Sequence, residues 1–230
     1  MSEELSRLRL AAVNIDGVLL DDTFSPMLHR FVTGRGGAYT AELERRVFSQ
    51  PRLVAGQILA EATGMETGPQ ETVDIYLRER EEFLLEHPVR TRDGAVELLE
   101  RLRGLGLRTV CYGGLDHDHF HRELGPLADL FDAPGYVCTN DFRPGVREIS
   151  EEIFHLPPER TLFIDDVARV AEEARRLSAA FIGAPSSFEH GFQPLLMREV
   201  GVRHVVTSVV DIDEALLRAV DAEAAAGTHW

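Results

Sequence analysis

The sequence predicts an α/β protein: a Rossmann-like, mostly parallel sheet with helices on both faces and an inserted helical cap. Three observations carry this. The run Leu8–Ile15, LRLAAVNI, is short and nearly continuously apolar, as a strand covered on both faces would be. Residues 24–87 then show only the three- and four-residue apolar spacing of helices. From Arg92 onward, short apolar runs alternate with helical patterns, as in right-handed βαβ crossovers.

Taken in order, Asp16-Gly17 ends the first strand. Four helices follow, over Pro26–Val32, Ala41–Phe48, Leu53–Ala62 and Glu71–Glu86, broken apart by Gly34-Arg35-Gly36-Gly37 and by Gly64–Pro69. Helix Arg92–Leu105 has its apolar stripe in Leu98, Leu99, Leu102 and Leu105. Strand Leu107–Tyr112 runs into Gly113-Gly114, and a helix covers His117–Leu124. Strand Tyr136–Thr139 and helix Pro144–Phe154 come next, then strand Thr161–Ile164, ended by Asp165-Asp166. Helix Val167–Leu177, strand Ala179–Ile182, helix Phe188–Val200, strand Val202–Val206 and helix Ile212–Ala222 complete the chain. This assigns residues 1–22 and 88–230 to the core and 23–87 to the cap. Ligands of open parallel sheets bind at the carboxyl ends of strands, and the insertion leaves from that edge, so the cap is expected to cover the pocket.

With 230 residues, 44% hydrophobic and 27% charged, the chain suits one globular domain plus an insertion. The formal net charge of -15 repels nucleic-acid backbones and anionic lipid, so neither is an expected partner, and a small molecule is. Every basic side chain in the count of Lys plus Arg is arginine. Cys111 and Cys138 lie in strand-like runs without metal-ligand spacing, which reads as buried thiols in a reducing compartment. The start, MSEELSRLRL, is unlike a signal peptide, and no apolar run approaches the ~20 residues of a membrane span. A cytoplasmic protein is the expectation.

Three strand ends converge on one pocket. The first gives Asn14-Ile15-Asp16-Gly17-Val18, the second Tyr112-Gly113-Gly114, the third Asp165-Asp166. Residues two apart in a strand share a face, so Asn14 and Asp16 both address the pocket as the chain leaves the strand. Clustered carboxylates there suggest a hard cation such as Mg²⁺.

This layout resembles the haloacid dehalogenase superfamily, in the subgroup with a small helical cap that includes phosphoglycolate phosphatase-like and β-phosphoglucomutase-like proteins. AAVNIDGVLLDD resembles the opening signature, LRTVCYGG the second, NDFRPGVREISEEIF the third and TLFIDD the fourth. The resemblance implies phosphoryl transfer through an aspartyl-phosphate. The first aspartate of the opening motif would attack phosphorus, and the aspartate two residues on would be acid and base. A serine or threonine with backbone N–H groups would hold the phosphate, a lysine would neutralise it, and carboxylates would hold Mg²⁺.

Three positions depart. The nucleophile position is Asn14, whose amide has no anionic oxygen and which removes one negative metal ligand. The serine or threonine position is Tyr112, which would crowd the phosphate cradle beside Gly113 and Gly114. The lysine position is Arg143, a bidentate phosphate partner but not a neutral exchange. Asp16, Asp165 and Asp166 remain, and predict weak Mg²⁺ binding near Asp16 and Asp166. The dehalogenase and phosphonate-cleaving branches keep the nucleophile and change the residue two later; this chain does the reverse. Asn14 alone would also suit an engineered trap, but Tyr112 beside it favours natural loss of the standard mechanism.

Other candidates are weaker. His117 and His121 share a helix face at metal-ligand spacing, though the segment also reads as a polar helix start capped by Asp116. His117 or His119 could touch a ligand, and these histidines are candidates for a new acid or base. Arg35, in its glycine-rich loop, could greet an anion or sit on a mobile surface. Tyr39 and Tyr76 read as packing residues, Asp21 and Asp22 as the hinge into the cap, and Trp230 as a disordered terminus. The function expected is a relative lacking the standard nucleophile that binds a small anionic or phosphorylated metabolite, or acts through a protein partner. The alternatives are a Mg²⁺-dependent phosphatase of unusual mechanism and a repurposed enzyme using Asp16 as acid or base.

Overall fold

The computed structural model describes residues 4–230; residues 1–3 of the expected core segment lie outside the described residues. β1 (Leu10–Asn14) is the central strand of a five-stranded sheet, with β2 (Arg108–Gly113), β3 (Tyr136–Cys138), β4 (Thr161–Asp165) and β5 (Ala180–Gly183). All pairs are parallel, in the order β3-β2-β1-β4-β5. Alternation along β1 divides the core in two. Ala11, Val13 and Ile15 face α5 (Ala95–Gly104) and α9 (Glu214–Ala226), meeting Leu98, Leu99, Leu102 and Leu217. Leu10 and Ala12 face α7 (Ala168–Arg176) and α8 (Gln193–Val200), meeting Val170, Ala171, Ala174 and Met197. Burial on both faces is why β1 reads as one apolar run. A Leu99→Ala change in that layer would cost ~2–5 kcal/mol.

The sheet has no sixth strand among the described residues, which corrects the strand expected over Val202–Val206. Only Val205 bridges, opposite Gly183, the last residue of β5. The two segments overlap by that one pair, and Pro185 has no N–H with which to extend it. The expected helix at 188–200 begins only at Gln193, because residues 184–192 form a loop against the cap. The segment after Pro144 turns helical at Val146 and continues as a π-helix over Glu148–Ile153. Trp230 is ordered, not free: its Nε1 donates to the Ala179 carbonyl at 3.0 Å and its ring stacks on Phe181. Cys111 and Cys138 are free thiols, the first buried and the second half-buried.

Four helices interrupt the sheet after β1: α1 (Phe24–Thr33), α2 (Ala41–Val47), α3 (Arg52–Thr63) and α4 (Pro69–Glu86). Met27, Leu28, Phe31, Leu43, Leu59 and Tyr76 give this cap its own core. Gly56 lets α3 and α4 touch, since a Cβ there would lie 2.3 Å from the Pro69 carbonyl oxygen. The chain enters and leaves the cap side by side, with Asp21 N donating to Arg90 O and Arg92 N to Leu19 O, each at 2.9 Å.

A second contact ties the cap to the core. The fully buried Glu44 carboxylate of α2 accepts from Phe192 N at 3.0 Å, Gln193 Nε2 at 2.9 Å and Tyr39 Oη at 2.7 Å. Gln193 in turn accepts from Ala168 N at 2.8 Å, at the start of α7. His29 of α1 stacks on His190, with ring centroids 4.4 Å apart, and Arg45 pairs with Glu199 of α8.

Candidate functional site

The strand order reverses direction at β1, and the carboxyl ends of β1 and β4 meet at that switch point, under the cap. β1 ends at Asn14. The chain then wraps tightly, with Leu19 N and Leu20 N both donating to Ile15 O. Gly17 sits in this wrap at φ +89°, and a Cβ there would lie 2.2 Å from Asp166 Oδ2. The conformation and the space both require glycine.

Asn14 Nδ2 donates to the Asp16 carbonyl at 2.7 Å and to Asp166 Oδ1 at 2.9 Å. A carbonyl oxygen only accepts, so chemistry fixes which end of the amide faces these oxygens. Asp16 Oδ1 lies 2.9 Å from His119 Nε2. His119 Nδ1 lies 3.2 Å from the Arg122 guanidinium, which can only donate, so in the neutral ring the proton is on Nε2 and points at Asp16. Tyr112 pairs with Asn14 across β1 and β2, but its side chain runs over β1 within the α7–α8 half of the core, and its hydroxyl donates to Asp165 Oδ2. Asp165 Oδ1 accepts from Val167 N at 2.7 Å. Burial pushes the Asp165 carboxyl up to about 6 despite these donors. Asp166 is raised well above the ordinary carboxylate range by burial and then by the neighbouring charge of Asp165. Burial and the Asp165 charge likewise hold the Tyr112 phenol protonated.

Above this floor is a cavity of about 160 Å³. Its polar end holds Asn14, Asp16, Asp166, Gly114, Asn140 and Arg143. Its cap end is apolar, with Phe24, Leu28, Val47, Phe48, Leu59, Val73 and Leu77. Two cations stand at the seam. Arg52 of α3 donates to the Gly114 carbonyl at 3.0 Å, and Arg143 reaches Ser49 Oγ at 3.3 Å. Gly114 admits Arg143, whose Nη2 would lie 2.3 Å from a Cβ at that position. Asp22 also lines the cavity; its Oδ1 accepts from Phe24 N and Ser25 N at the start of α1, while its Oδ2 is buried without a partner.

Several sequence expectations are corrected. Tyr112 neither fills nor lines the cavity; its ring is turned into the core by the bond to Asp165. Gly113 packs beneath the site against Ile15 and Tyr136. Arg35 is held in the cap by Glu79 and lies 3.8 Å over the Phe31 ring, away from the cavity. His117 packs edge-on against Tyr136, and Asp116 caps α6 (His117–Leu124) by accepting from His119 N. The residue of this helix that reaches the site is His119. Tyr76 belongs to the cap core and also lines the cavity, while Tyr39 serves Glu44. Sequence reasoning missed Arg52, Ser49 and Asn140.

The carboxylates expected to hold Mg²⁺ are each engaged by protein groups. Among the described residues no group of three or more His, Cys, Asp or Glu side chains is arranged to hold a metal ion. Asp165 is bonded to Tyr112 and Val167, Asp166 to Asn14, and Asp16 to His119.

No family model matches this chain, and no curated protein does. Solved structures do. A haloacid dehalogenase family hydrolase from Deinococcus radiodurans, with bound phosphate and sodium, is 20% identical at a TM-score of 0.59, over 95% of this chain and 97% of that one. A β-phosphoglucomutase from Clostridium difficile is 12% identical at 0.69, over 95% and 99%. A phosphonoacetaldehyde hydrolase-like protein from Oleispira antarctica is 13% identical at 0.68, over 99% and 97%. At these identities the likeness shows the fold: the chain has the capped α/β fold of the haloacid dehalogenase-type hydrolases. Among the described residues no helix is long and apolar enough to cross a membrane.

Proposed function

We propose that this chain is a haloacid dehalogenase-type relative that has left the aspartyl-phosphate route and uses the capped pocket to bind a small anionic metabolite, phosphorylated or carboxylated, with an apolar body. One observation carries the reading. The residue at the head of the pocket is an amide already hydrogen-bonded to Asp166 and to the Asp16 carbonyl, so no anionic oxygen stands there to attack phosphorus. Arg52 and Arg143 at the seam supply cationic donors for an anion. The apolar cap end suits an alkyl or aryl group better than a polyhydroxylated sugar, whose hydroxyls would lose water without gaining partners. The cavity is near the size of one that admits benzene, which suits a small apolar group.

The test is hydrolysis of a panel of small phosphate esters with Mg²⁺, wild type against Asn14→Asp. The expected result is a silent wild type. Turnover restored in Asn14→Asp would identify the pocket as a phosphate site that lost its nucleophile. Wild-type turnover that co-purifies with the protein and falls in an Asp16→Asn variant would refute the reading.

The His119–Asp16 contact favours a second reading, in which Asp16 acts as acid or base on a bound ligand. It predicts that Asp16→Asn abolishes a ligand-dependent proton exchange at the bound molecule, followed by NMR in D₂O, while leaving binding intact.

A further inference from the structure

We infer that the floor of this pocket is built to stand without a divalent cation, with the Asn14 amide bridging the oxygens that a cation would otherwise bridge. The Asp16 carbonyl and Asp166 Oδ1 converge on one atom, Asn14 Nδ2, at 2.7 and 2.9 Å. Oxygens gathered in this way at a strand end invite a hard cation, which Mg²⁺ would satisfy at ~2.0–2.1 Å. Here an NH₂ group lies between them and gives each one a hydrogen. It supplies two donors and no charge.

The same substitution of donor for cation recurs at the neighbouring carboxylate. The Tyr112 hydroxyl donates to Asp165 Oδ2 while Val167 N occupies Oδ1. His119 Nε2 completes the set at Asp16 Oδ1. Each of the three carboxylates therefore has its own protein donor. Buried carboxylates need such partners or a metal, because an unpartnered buried charge is expensive. Asn14 and Tyr112 are two of the three departures from the motif pattern, and each serves one member of the Asp165-Asp166 pair. They form a matched set: the amide and the phenol together make an electrically lighter floor beneath the Asp165-Asp166 pair. Gly17 closes against Asp166 Oδ2 from the other side, where a Cβ would lie 2.2 Å away.

This concerns the floor itself and does not depend on which ligand the pocket takes. The test compares wild type with Asn14→Asp by thermal unfolding in chelator and in millimolar MgCl₂, with NaCl matching the ionic strength, and by calorimetric titration of Mg²⁺. The wild-type melting temperature should be the same in both media and its titration flat. Asn14→Asp sets a second carboxylate against Asp166 and removes the bridging donor. It should melt below wild type in chelator and recover by roughly 5–10 °C in saturating Mg²⁺. A variant that folds only with Mg²⁺ supports the inference equally. A wild-type chain that gains several degrees with Mg²⁺ over matched NaCl, or titrates with micromolar affinity, overturns it. So does an Asn14→Asp variant as stable as wild type and indifferent to the ion. If that variant folds in neither medium, the wild-type titration decides alone.

Discussion

Tyr112→Phe removes one oxygen from the middle of the core and leaves the ring's packing unchanged. Tyr112 is fully buried, and its hydroxyl donates to the buried Asp165 carboxylate alongside Val167 N at 2.7 Å. Leaving a buried acceptor short of a partner costs ~1–3 kcal/mol, towards the upper end when the acceptor is charged. For a chain of this length each kcal/mol lowers the melting temperature by ~2–4 °C, so the expected fall is roughly 2–12 °C. Its pH dependence identifies the bond. Burial holds the folded Asp165 carboxyl up at about 6, above the ordinary carboxylate range. A raised folded value favours the folded state in acid, and that advantage is lost as pH rises through the folded value. The phenol favours the ionised form, so removing it raises the folded value further. The variant's deficit should therefore be small at about pH 5.5 and full at about pH 8, while wild type itself loses stability as pH rises through the same window. Urea denaturation at the two pH values measures this, with fluorescence of the single tryptophan, Trp230, which packs on Phe181, as the probe. A deficit that is absent, or larger in acid, would refute the assignment of the hydroxyl to Asp165.

Two further predictions follow from buried groups. Glu44→Ala leaves Phe192 N, Gln193 Nε2 and Tyr39 Oη without their acceptor, at ~3–5 kcal/mol. Hydrogen exchange should quicken across residues 186–193 and leave β1 and β4 protected; unchanged exchange in that loop would contradict the latch. Gly17→Ala must place a side chain at φ +89° and within 2.2 Å of Asp166 Oδ2, at ~2 kcal/mol or more in denaturant titration. A stability equal to wild type would mean that the wrap after β1 is looser than described.

The sheet was legible where strands are buried on both faces, because Leu10–Asn14, Val110–Tyr112 and Thr161–Asp165 are unbroken apolar runs up to their polar ends. It was illegible at Val202–Val206, whose composition suits a strand but whose register meets β5 at one residue. Parallel strand ends bring Asn14, Asp16 and Asp166 together whatever their rotamers, so the site's location could be read. Side-chain direction could not. Tyr112 turns across β1, and on α6 the inward face belongs to His119 rather than His117. Arg52 reaches the site only through the way the cap docks, which local sequence does not encode; an arginine just after Pro51 at the start of a cap helix was the one available hint.

The Glu44 latch also constrains how anything enters the pocket. A cap joined to its core only by two adjacent strands can swing like a door. This one is held on the far side as well, by a buried carboxylate and a pair of stacked imidazoles. The cavity shares Arg52, Leu77 and Leu115 with an open groove between α4 and α6. The Arg52–Gly114 contact stands where the two meet. A side chain at that seam changes rotamer far faster than a whole lid can move.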